Sequence, residues 1–121
     1  MKLIAEYSPE WSDEEDNEHI WEFFEDEVDY AFNKVFPKGD VGMIAKNHGW
    51  RGLDGYRPVE YYTNGSNAIR RAMVDGASVR VYVATNGEYG RHIAVNTAHH
   101  DSPTWGEWTY IVRPKYMKEV A

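Results

Sequence analysis

Apolar residues between Ile20 and Val35 return at helical intervals. At about 100° per residue, Ile20, Trp21, Phe24, Val28, Ala31, Phe32 and Val35 share one face. Glu18, Glu22, Glu25, Asp26 and Asp29 fall on the opposite face, with His19, Phe23 and Tyr30 on one flank. This spacing predicts one long amphipathic helix filling most of Ser12 to Gly39. Ser12 and Glu15 fit a capping box at its start. Asp13 to Asp16 suit the positive end of the helix dipole, and Lys34 and Lys38 suit the negative end. Pro37 and Gly39 supply the stop.

Elsewhere the period is two. Ser78 to Thr85 alternates, with Val79, Val81 and Val83 on one side and Arg80 and Tyr82 on the other. Arg91 to Thr97 alternates again, after the turn residues Asn86 and Gly87. A loop over Asn86 to Glu88 pairs Val81 with Ile93 and Val79 with Val95, which keeps apolar residues together; a one-residue slip would not. In that register Arg80, Tyr82, His92 and Ala94 share the second face. Lys2 to Tyr7, Val41 to Lys46, Val59 to Thr63 and Trp105 to Val112 read as further strands, the last bulged at Gly106. Asn64-Gly65 marks a turn, and Ser66 caps a short helix to Val74 that Asp75-Gly76 closes. The sum is an α+β domain over residues 1–121: a mostly antiparallel sheet of about five strands, one long acidic helix packed on it, and a second short helix.

Charge changes this picture. The chain nets −7, yet residues 1–32 hold twelve acids against Lys2 and net −11, while the rest nets +4. Such asymmetry bears on partners and association. It points first to a non-enzymatic protein-binding module or inhibitor. In this reading the acidic helix face, Glu18, Glu22, Phe23, Glu25, Asp26, Asp29 and Tyr30, docks on a basic partner surface. Carboxylates along a rod mimic nucleic acid, by analogy with inhibitors of nucleic-acid enzymes encoded by phages or mobile elements. A homo-oligomer would pair that face with Arg70 and Arg71, since two acidic faces repel.

A second reading uses the basic remainder. The glycine-broken loop from Asn47 to Pro58 carries Trp50, Arg51, Tyr56 and Arg57, and the second sheet face offers Arg80, Tyr82 and His92 beside Trp108 or Tyr110. Aromatic and Arg side chains on a sheet stack nucleic-acid bases or hold a small anionic ligand. The net negative charge opposes this unless the acidic helix lies well away. A third reading is a small hydrolase or nuclease using His92, His99 and His100. No metal-ligand spacing, P-loop or nucleophile elbow supports it, and neither metal nor cofactor is expected. The chain has no cysteine, no signal-like start and no span-length apolar run, so a cytoplasmic, soluble protein is expected.

Overall fold

A computed structural model describes residues 1–8, 17–36, 41–47, 58–87, 89–99, 102–113 and Lys115. The elements are β1 (Lys2–Tyr7), α1 (Asn17–Val35), β2 (Val41–Asn47), β3 (Pro58–Glu60), α2 (Tyr61–Val74), β4 (Ser78–Ala84), β5 (His92–His99) and β6 (Ser102–Val112). All six strands join one sheet in the order β1-β4-β5-β6-β2-β3, and every pairing is antiparallel. The α+β class stands; among the described residues the sheet has six strands where about five were expected.

The helical period explains α1. Trp21, Phe24, Val28, Ala31, Phe32 and Val35 are all buried. They join Ile69, Ala72 and Met73 of α2 in one cluster with Val79, Val81, Val83, Ile93, Val95 and Ile111 of the sheet. Both helices therefore cover the same face, and among the described residues the opposite face carries none. Close approach is required where β2 passes under the helix end. A Cβ on Gly42 would lie 2.8 Å from Ile111 Cγ2 and 3.1 Å from Phe36 Cζ.

The helix ends are held by identifiable groups. Arg91 Nη1 donates to Lys34 O at 3.0 Å, and Arg113 Nη2 donates to Val35 O at 2.8 Å. Two guanidinium groups thus satisfy carbonyls that α1 leaves open at its negative end. The predicted capping box at Ser12 and the stop at Pro37 and Gly39 lie outside the described residues. At the end of α2, Ala77 N–H bonds Ala72 O and Gly76 N–H bonds Met73 O, both at 3.0 Å. This is a Schellman motif, and Gly76 takes the left-handed conformation it requires, at φ +91°.

Two sequence expectations need correction. The strand expected over Val59 to Thr63 stops at Glu60, the end of β3, and α2 already begins at Tyr61, running through Asn64, Gly65 and Ser66. Local propensity is a weak preference, and here the β-prone run is divided between β3 and the first turn of α2. The β4–β5 register is also shifted by two residues. Val81 faces Val95 and Val83 faces Ile93. A two-residue shift conserves which side each residue points to, so the facial assignment survives while the loop lengthens to Thr85–Arg91.

Candidate functional site

On the face turned away from α1 and α2, β5 contributes small or polar residues: Ala94, Asn96 and Ala98, all buried. Its neighbours β4 and β6 contribute rings. Strands two apart in a sheet are about 9.6 Å apart, so side chains from β4 and β6 must lean inward to touch. They do: Tyr82 and Trp108 meet above β5 with centroids 5.6 Å apart. The small side chains of β5 make room for this roof.

The rings continue along β6. Trp108 and Tyr110 stand at i and i+2, 6.0 Å apart and within 9° of parallel. Tyr110 lies 5.6 Å from Tyr89 and 5.9 Å from His92, and Tyr89 meets the His92 ring edge-on at 5.4 Å. At the other end the Arg80 guanidinium sits 3.8 Å over the Trp105 ring, a cation–π contact. Tyr82, Tyr89, Trp105, Trp108 and Tyr110 are each partly exposed. The result is a half-wet aromatic surface with one guanidinium at its edge.

Trp105 reaches this face through the irregular part of β6. Thr97 pairs with Glu107, yet His99 pairs with Ser102, so β6 bulges between them. A bulge leaves ladder groups unpaired. Asn96 fills the gap: its Nδ2 donates to Trp105 O at 2.9 Å and to Glu107 O at 3.0 Å. Only 2% exposed, Asn96 ties the bulge down under the rings.

Charge on this face is largely internal. Arg80 Nε bonds Glu6 Oε2 at 2.8 Å. This hydrogen bond is the main reason that the Arg80 pKa is raised. His92 is 6% exposed, and its Nδ1 lies 2.9 Å from Gly90 O. A carbonyl only accepts, so Nδ1 carries the proton and donates. Burial lowers the His92 pKa, with the nearby positive amino terminus adding to the effect and the Gly90 bond opposing it. Burial also raises the Tyr110 pKa.

The acidic helix face is laid out differently. Glu22, Glu25 and Asp26 are exposed, and Asp29 is half-buried. Burial, then the charges of Glu25 and Asp26, raise the Asp29 pKa. Trp21 Nε1 donates to Glu25 Oε2 at 3.0 Å, so one carboxylate is partly engaged. Tyr30 is 52% exposed, with Lys34 Nζ 5.1 Å from its ring centroid. The side chains of Glu18 and Phe23 lie outside the described set, as do Trp50, Arg51, Tyr56, Arg57 and His100.

The structure thus brings Arg80, Tyr82, His92, Trp108 and Tyr110 together. The histidine set is described only in part, since His100 and the side chain of His99 lie outside the described residues. His92 and His99 begin and end β5, which separates their backbones by about 23 Å at 3.3 Å per residue. Among the described residues no group of three His, Asp or Glu side chains is placed to hold a metal ion. Sequence reading missed Tyr89 and Trp105. Simple alternation from Trp108 puts Trp105 on the other face; the signal was Gly106, which marked the bulge.

No protein-family model matches the chain, no curated protein matches it, and no solved structure matches it. Among the described residues no helix is long and apolar enough to cross a membrane.

Proposed function

We propose that this protein is a binding module that receives unpaired nucleobases on the aromatic face of its sheet. The observation that carries the reading is the run of partly exposed rings, Trp105, Tyr82, Trp108, Tyr110 and Tyr89, on a face that neither helix covers. Sheet aromatics hold bases by stacking, which needs a π-face and tolerates any base. The electrostatic objection is weakened by placement. The exposed carboxylates of α1 lie on the far side of the helix layer, beyond the sheet and a helix about 10 Å thick. The Debye length at physiological salt is about 8 Å.

Glu6 neutralises Arg80, so stacking and not phosphate neutralisation carries the affinity. The expected result is saturable quenching of tryptophan fluorescence by a short single-stranded oligonucleotide at low salt. Trp108→Leu should weaken it by about 1–3 kcal/mol, the range for one stacked base. The salt slope should be shallower than that of a basic groove. Absence of saturable quenching at low salt overturns the reading.

A second reading rests on Tyr30. An exposed ring beside a row of carboxylates is an apolar anchor within an acidic surface, the combination that docking on a basic protein partner uses. Glu22, Glu25 and Asp26 changed together to Lys should abolish capture of such a partner and leave oligonucleotide quenching in place. A captured partner that survives the change removes this reading.

A further inference from the structure

A different site lies on the helix side of the sheet, at its β1 edge. The two arginine bonds at Lys34 O and Val35 O tie the end of α1 to residues flanking β5 and β6. The first residues of β1 are then left beside the helix, and a cavity of about 350 Å³ opens between them. Its floor is apolar, formed by Ile4 and Val83, and its rim carries Met1, Lys2, Lys34, Tyr30 and Thr85. That volume falls at the small end of ligand pockets, and an apolar floor with a few convergent polar groups is their usual composition.

The rim is electrostatically unusual for this chain. The protein nets −7, yet two lysines meet here. Among the described residues neither is ion-paired with a carboxylate; the Lys34 ammonium rests against the Tyr30 ring. The neighbouring turns of α1 carry Asp26, Glu27 and Asp29. These would repel a ligand with several negative charges, while the two lysines favour one. The apolar floor in turn disfavours a bare inorganic anion.

We infer that this cavity binds a small amphipathic carboxylate, with its apolar body on Ile4 and Val83 and its single anionic head between Lys2 and Lys34. The site is independent of the aromatic face, which lies across the sheet. Calorimetric titration of the full chain with octanoate at low salt tests it, with acetate as the head without a body. Octanoate should bind saturably and acetate should not. The double variant Lys2→Gln, Lys34→Gln should weaken octanoate about two- to thirtyfold, the range two partly exposed ion pairs supply. An unchanged thermal midpoint in that variant would show that the fold is intact. No saturable octanoate binding, equal binding of acetate, or equal affinity in the double variant overturns the inference. Oligonucleotide quenching by the double variant should match that of the parent chain, which separates failure here from failure of the aromatic face.

Discussion

Toward the helices, β4 and β5 present Val79, Val81, Val83, Ile93 and Val95, none more than 6% exposed. Toward the other side the same strands present Arg80, Tyr82, Ala94 and Asn96. The first face buries branched aliphatic side chains under two helices, where close packing fixes one arrangement. The second has no covering helix among the described residues and roofs itself: rings from β4 and β6 lean over the small residues of β5. Aromatic side chains can seal a strand below while leaving part of each ring wet. One sheet thus carries a closed core on one side and a layer of partly exposed rings on the other.

The largest test of this contrast compares two truncations. Phe32→Ala empties a fully buried site and should destabilise the fold by about 3–5 kcal/mol. Trp108→Ala removes a partly exposed ring and should cost only about 2–3 kcal/mol, from roughly half of its area at 25 cal/mol per Å². Urea denaturation of both variants measures the difference. Equal losses would make the open face a second core, and its rings structural.

Asn96 probes the same face at its floor. Asn96→Ala deprives the carbonyls of Trp105 and Glu107 of a buried donor and should cost about 1–3 kcal/mol. Hydrogen exchange should rise around the β6 bulge and stay unchanged in α1. Uniform exchange across both regions would show that Asn96 holds the whole fold and not the bulge.

This contrast was only partly legible in the sequence. The closed face was plain, because periods of 3.6 and 2 report directly which residues meet a core. Ala31, Val35, Val81 and Ile93 were placed correctly by count alone. Register was less secure: the shift from Ile93 to Val95 opposite Val81 keeps each residue on its side, so hydrophobic pattern cannot separate the two pairings. The start of α2 was hidden because VEYYT is β-prone and Asn-Gly imitates a turn, yet both lie at or within the helix boundary. On the open face the sequence placed Arg80, Tyr82 and His92 together. It could not place Trp105, since a bulge resets alternation and its extent depends on Asn96 finding two carbonyls.

The smallest expected effect separates the faces by acidity. On the open face, the buried His92 has a lowered pKa, so the unfolded chain binds the proton more readily. Its contribution to stability is whole above the unfolded value of about 6.5 and is lost as pH falls from there toward the folded value. On the helix, Asp29 behaves oppositely. Its folded pKa is raised above 3.8, so the fold gains stability as pH falls through that raised value. Thermal midpoints measured from pH 7.5 downward should first decline through His92, with Asp29 opposing at the acid end. His92→Gln keeps a donor for Gly90 O and cannot titrate, so it should flatten the decline below pH 6.5. Asp29→Asn should leave that limb in place and remove the opposing gain. If His92→Gln leaves the decline unaltered, the imidazole is as free to protonate in the fold as out of it, and the aromatic roof over it is more open than its 6% exposure implies.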